Sequence, residues 1–322
     1  MRDAFARSLY EASKSDDRIF FVVADISPAS SLDDFLAANP TRFIDVGVSE
    51  QSLIGISAGL AMRGYRPFAY TIANFTIYRP FEQIRVDLCY QELPVVLVGV
   101  GGGMAYSALG STHHTIEDVA VMSALPNMSV VAPCDPAEVE AAVRASFQLD
   151  GPLYLRLGKA GEPDLTGAAS EPFQFGKIRQ IIQGNRIAIV GYGPILGLAI
   201  EAAHSQNAVE AGSVSVYSAH TLKPLDKDRL CNILETYEHV ITLEEHVAFG
   251  SLGSQAKQLA FERHINASLE CLNLSDRFIH SYGTHSDVRE AHGISSESVH
   301  SAIRAVLTRE NRQNPQNPEV NV

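Results

Sequence analysis

Apolar residues fall in short unbroken runs, and the stretches between them carry apolar residues at helical spacing. Ile19–Ala24, Pro67–Ile72, Pro94–Val100, Met128–Ala132 and Leu153–Leu157 are such runs. Runs that do not alternate with polar residues mark strands buried on both faces, as in a parallel sheet covered by helices. Residues 3–14 predict an amphipathic helix with Ala4, Phe5, Leu9 and Tyr10 on one face. Phe35, Leu36 and Ala38 predict a short helix after a polar loop at Ser27–Ser31. Phe75, Tyr78 and Phe81–Cys89 predict a long helix, and Glu117–Ala124 and Pro136–Leu149 two more.

One strand–turn–helix stands out. Phe43, Ile44 and Val46 predict a buried strand, Gly47 a tight turn, and Ser49 a helix N-cap. Glu50 then opens a small, apolar helix that ends near Gly64. In parallel sheets ligands gather beyond the carboxyl ends of the strands. Asp25, Gly47–Glu50, Ile72–Phe75, Gly101–Gly103 and Arg156–Lys159 all belong to that edge.

The second half repeats the pattern. Ile187–Val190, Val214–Tyr217 and His239–Leu243 predict strands of a second α/β domain, and Val299–Leu307 a last helix. The expected division is a first domain over 1–160, a linker over 161–177, a second domain over 178–308 and a disordered polar tail over 309–322. Both domains are read as α/β and doubly wound. Gly191-Tyr-Gly193 resembles a dinucleotide turn but lacks the third glycine and the acidic residue that such a site needs.

Composition narrows the class of partner. The chain has 322 residues, 46% hydrophobic and 19% charged, with a formal net charge of −12. That charge argues against nucleic acid or an anionic membrane as a partner. No run approaches the ~20 apolar residues of a membrane helix, and the first residues do not form a signal peptide. Cys89, Cys134, Cys231 and Cys271 have no close spacing and read as reduced thiols, so a cytoplasmic protein is expected.

The chain resembles the transketolase family, in its pyrimidine-binding and C-terminal domains. The resemblance rests on Asp45-Val-Gly-Val-Ser-Glu-Gln51, Gly59-Leu-Ala61, Tyr78-Arg-Pro-Phe-Glu-Gln-Ile-Arg85, Gly110-Ser-Thr-His-His114 and Glu117-Asp118. It continues through Leu125-Pro-Asn-Met128, Val131-Ala-Pro-Cys-Asp135, Gly151-Pro152, Thr242-Leu-Glu-Glu-His246 and Gly250-Ser-Leu-Gly253. It spans nearly the whole chain to about Leu307. Deoxyxylulose-phosphate synthases and the β-subunits of 2-oxoacid dehydrogenases share this domain pair.

The resemblance implies thiamine diphosphate as cofactor. Glu50 matches the glutamate that hydrogen-bonds the aminopyrimidine and helps activate the cofactor; locally, it could instead only complement a helix N-terminus. Phe75 matches the aromatic residue that stacks on the pyrimidine, Tyr78 a second aromatic, and Ile72 replaces a further phenylalanine. Phe75 and Tyr78 also suit a plain core role. His113 matches a histidine that approaches substrate hydroxyls, and His114 stands where the family often has Gln.

Substrate residues are matched in part. Arg2 matches an arginine that contacts sugar phosphate, Lys159 approximates another, and Arg156 is its rival. Asp25 lies in the loop that carries a family serine, whose own position falls on Ala29 beside Ser30. Further substrate residues fall on Gly101 and Leu109, so the acceptor is expected to differ from ordinary pentose and tetrose phosphates. Glu244-Glu245-His246 is expected to serve fold and subunit contact. Arg277, Tyr282 and His285 have no assigned role.

The family's diphosphate site needs magnesium held by a Gly-Asp-Gly motif, which this sequence does not contain. The chain also begins where the family's pyrimidine domain begins. The expectation is therefore a split enzyme: no metal ligands here, magnesium held mainly by an N-terminal partner chain, and an α2β2 assembly. Transfer of a two-carbon ketol unit from a ketose to an aldehyde-type acceptor is the expected reaction. Decarboxylation or acyl transfer from a 2-oxoacid, as in the related families, is the alternative. A regulatory partner with a vestigial site is a third reading.

Overall fold

The computed structural model describes residues 1–26, 32–167, 170–280 and 282–313, with side chains to Leu307. The expected loop over 27–31, with Ala29 and Ser30, lies outside the described residues, as does the tail from 314.

The first domain runs α1 (Arg2–Ser13), β1 (Ile19–Val23), α2 (Asp33–Ala38), β2 (Phe43–Asp45), α3 (Glu50–Met62), β3 (Arg66–Ile72), α4 (Ala73–Ile77), α5 (Phe81–Gln83), β4 (Val96–Val100), α6 (Asp118–Ser123), β5 (Ser129–Val131), α7 (Pro136–Ser146) and β6 (Leu153–Leu157). The second runs β7 (Arg179–Ile182), β8 (Ile187–Gly191), α8 (Leu196–Val209), β9 (Val214–Ser218), β10 (Thr221–Lys223), α9 (Lys227–Thr236), β11 (His239–Val247), α10 (Leu252–Glu262), β12 (Ser268–Leu274), α11 (His285–Ala291) and α12 (Ser296–Gln313). The last helix thus continues past the expected start of the tail at 309.

The first sheet has the order β10-β5-β6-β4-β3-β1-β2. Its six own strands are parallel, as the unbroken apolar runs predict. Strand β10 comes from the second domain and pairs antiparallel with β5. The two domains therefore share a sheet edge. The second sheet has the order β12-β11-β8-β9-β7, parallel except for β7.

The long helix expected over 75–89 is broken. A turn at Tyr78–Pro80 separates α4 from α5, and Ile84–Cys89 winds as a π-helix. Pro80 lacks the N–H that a continuous helix would need. The break lets α4 sit directly on the carboxyl end of β3. The described residues 158–167 and 170–178 form no helix or strand, but they are tied down: the Asp135 carboxylate accepts from the Leu165 and Thr166 N–H groups at 3.1 and 2.8 Å.

Candidate functional site

The strand–turn–helix at Glu50 is present. Gly47 takes φ +66°, in the left-handed region that glycine enters without penalty. Ser49 holds the N-cap position, but its hydroxyl bonds the Ser52 hydroxyl at 2.6 Å rather than a backbone N–H. Glu50 is the first residue of α3 and is 7% exposed. The helix N-terminus favours a negative charge there.

Arg79 lies within the motif that carries the family resemblance, yet its role is visible only in space. Its guanidinium pairs with Glu50 Oε1 at 2.6 Å and lies 4.0 Å over the Phe75 ring. Among the described residues, nothing bonds the second Glu50 oxygen.

Asn74, which the sequence places only at the strand edge with Ile72–Phe75, gains a role in space. Its side-chain amide donates to the carbonyls of Thr112 and His114, at 2.9 and 3.1 Å. It thereby pins the Gly110–His114 loop to α4. The His113 ring meets the Phe75 ring edge-on at 5.2 Å, and its Nδ1 bonds the Thr112 hydroxyl at 3.0 Å. Burial, and then the charge of Arg79, push His113 below its ordinary value. The imidazole is thus held toward its neutral form.

The chain of contacts continues outward. Tyr106 lies 6.4 Å from the His113 ring, and Lys159 Nζ stands 5.0 Å over Tyr106. Arg2 donates to the Tyr70 hydroxyl at 3.0 Å, and burial is the main cause that raises that phenol. Asp25 is exposed just past β1, with φ +45°. All these groups lie at the carboxyl edge of the first sheet, as the strand ends predict. Ile72 is half-buried at the end of β3 and packs with the core under α1.

Two expected site residues sit elsewhere. Arg156 is 4% exposed and fully engaged. It pairs with Asp118 at 2.7 Å and donates to the carbonyls of Thr115 and Glu245, both at 3.1 Å. It is a domain-interface residue, because its donors satisfy buried acceptors; of the two rivals, Lys159 faces the site. Tyr78 is half-buried and packs against the main core of the first domain. Burial, with the Asp118 and Glu117 carboxylates near it, pushes its phenol well up.

His285, assigned no role, pairs with Glu245 at 2.7 Å. Arg277 is a local brace, donating to the Ala291 carbonyl at 2.7 Å. Glu244 anchors α10 by accepting from the Leu252 and Gly253 N–H groups, each at 2.9 Å.

Residues 1–161 match the transketolase pyrimidine binding domain, and residues 176–299 match the transketolase C-terminal domain. The chain belongs to the transketolase family. It is 34% identical to an apulose-4-phosphate transketolase subunit of Phocaeicola vulgatus, over 79% of this chain and 81% of that one. It is 31% identical to the 6-deoxy-6-sulfo-D-fructose transketolase subunit SqwH of a Clostridium species, over 97% and 95% of the two chains. The solved structure of a split gene transketolase, described as an inactive β4 tetramer, superposes with a TM-score of 0.85. It shares 32% identity and is covered over 98% of its length, against 95% of this chain. The chain spans 48% of a 1-deoxy-D-xylulose-5-phosphate synthase from Caldanaerobacter subterraneus, at 30% identity over 94% of its own length.

Membership in this family implies thiamine diphosphate. The residues here fit its aminopyrimidine end. A buried carboxylate has one oxygen that no described residue bonds, a half-buried aromatic ring lies beside it, and an imidazole kept toward neutrality faces the same space. Among the described residues no group of three or more His, Cys, Asp or Glu side chains could hold a metal ion.

Proposed function

We propose that this chain is the pyrimidine-binding subunit of a split, thiamine-diphosphate-dependent transketolase that moves a two-carbon ketol unit from a ketose to an aldehyde acceptor. The observation that carries the reading is the buried Glu50 carboxylate, fixed by Arg79 beside Phe75 and opposite His113. When bound, thiamine diphosphate supplies a nucleophilic carbon at its thiazolium ring. Glu50 would exchange a proton with the ring nitrogen of the aminopyrimidine through its Oε2. The Arg79 pair restricts the Glu50 rotamer, and burial excludes water that would compete for the carboxylate. Phe75 would supply the apolar wall against the planar ring. His113 would give or take a proton at the substrate hydroxyls, and Lys159 and Arg2 would meet an anionic group at the far end of the substrate.

A partner chain with a diphosphate-binding domain would hold the phosphates and Mg2+. The absence of a Gly-Asp-Gly motif here and the relatives named as subunits support that division. An α2β2 assembly is the natural arrangement. The outer face of α3, with Ser52, Gly55, Ile56, Gly59 and Met62, is open and partly apolar in the single chain. Relatives named for apulose 4-phosphate and for a sulfonated deoxyfructose support a small anionic ketose outside the common pentose pathway as donor or product.

The test is reconstitution. Ketol transfer should appear only when this chain, a chain carrying the diphosphate domain, thiamine diphosphate and Mg2+ are combined. Full activity of this chain alone would refute the split architecture. Release of CO2 from pyruvate by the complex, without ketol transfer, would instead support the synthase-like reaction suggested by the similarity to deoxyxylulose-phosphate synthases.

A further inference from the structure

The loop that carries His113 has a narrow neck. Gly103 and Thr115 exchange two backbone hydrogen bonds, N–H to O at 2.9 and 2.8 Å, and close the segment 103–115 into a loop. The second domain holds this neck. The Met104 N–H donates to Glu245 Oε2 at 3.3 Å, and the Val247 N–H donates to the Ile116 carbonyl at 2.9 Å. Gly103 admits no side chain, since a Cβ there would lie 2.2 Å from Glu245 Oε2. The same Glu245 carboxylate turns its other oxygen to α11. It pairs there with His285 Nε2 at 2.7 Å and with Arg289 at 3.7 Å. One buried carboxylate therefore joins α11 to the neck of the His113 loop.

We propose that Glu245, His285 and Arg289 are positioning residues for the 103–115 loop, with the charge on His285 setting how firmly the neck is held. The inference rests on the reading that His113 faces the substrate. Loss of the His285 proton removes the near cation that fixes the Glu245 carboxylate and leaves Arg289 at longer range, so the carboxylate is less firmly placed under the Met104 N–H. The charged and titratable groups around the pair are Arg289 and His292 from α11 and its end, Arg156 from β6 and its partner Asp118 from α6. Glu162 from the interdomain stretch and His114 from the loop itself also stand near the pair. Glu162 is already paired with the N-terminal ammonium at 2.9 Å, and His114 and His292 are both held low, chiefly by burial. Of the three histidines here, His285 is the one whose proton is held above its ordinary value: burial opposes it, and Glu245 outweighs burial.

Backbone hydrogen exchange of the full-length chain tests this without any activity measurement, so it stands or falls apart from the proposed reaction. After correction for intrinsic rates, protection of 103–116 in the wild type should fall as pH rises from about 6 to about 9. His285→Gln should show protection about tenfold lower at the acid end, with no pH dependence. His285→Arg should keep protection high throughout. Strands 187–191 and 239–243 should not change in any variant. Equal protection in wild type and His285→Gln, or a pH dependence that survives in His285→Gln, would overturn the proposal. Glu245→Gln adds a second arm, with uniform loss of protection in 103–116 expected.

Discussion

Glu50 and Phe75 were legible from the residue pattern and its resemblance, whereas Arg79 and Asn74 were not. A cation four residues after an aromatic ring reads as a surface charge. The i,i+4 spacing places Arg79 beside Phe75, but its pairing with Glu50, on another helix, is visible only in space. Arg79→Met should lower kcat of the assembled enzyme about tenfold and should also lower the melting temperature, since it leaves the buried Glu50 carboxylate without its cation. His113 gives a pH signature. Its imidazole is held below its ordinary value, so the neutral form persists as pH falls through 6.5. If neutral His113 is required, kcat/KM should stay level through that pH and fall only below it. His113→Gln should remove this acid limb, which a pH–rate profile reads directly.

At the scale of elements, strands β1, β3, β4 and β6 were readable because they are buried on both faces and so unbroken in their apolar character. Strand β2, expected to be buried, is instead a half-buried edge strand, marked mainly by the Gly47 turn and the helix that follow it. Strands β7, β10 and β12 were not readable. They are short or lie at sheet edges, and β12 is only half-buried along most of its length. Burial on one side leaves too weak a pattern to mark them. The same limit hid β10 crossing to the first sheet, since register between domains has no local signal. The domain boundary is where structural substitutions should cost most. Arg156→Met leaves Asp118 buried beside Tyr154 without its cation, and should destabilise the chain by about 3–5 kcal/mol in denaturant unfolding. Gly103→Ala combines φ +68° with a clash against Glu245, and should cost about 1–3 kcal/mol or more. Gly47→Ala meets no atom within 4 Å and should cost less, about 1 kcal/mol from backbone strain alone.

For the whole molecule, the two domains are joined by a shared sheet edge and by buried ionic contacts, among them the Arg179–Glu138 pair at 3.3 Å and the Glu245 cluster, and the Glu245 cluster makes stability depend on pH. Burial would raise the Glu245 carboxyl, but His285, Arg289 and Arg156 bring it down to about 2. Its contribution is complete above its ordinary value of 4.5 and is lost as pH falls toward 2. His285 is raised, so its contribution is complete below 6.5 and is lost as pH rises through its folded value. Thermal melts should therefore show a plateau between about 4.5 and 6.5 from this pair, flattened on both sides in Glu245→Gln. The central claim concerns the other carboxylate. The decisive measurement is the ketol-transfer rate of the two-chain complex with Glu50→Gln, at saturating thiamine diphosphate and Mg2+ and with assembly checked by size. Glu50→Gln should assemble normally and lose about 10²–10⁴ in kcat; a complex that assembles and turns over at the wild-type rate would contradict the assignment of Glu50 as the group that activates the cofactor.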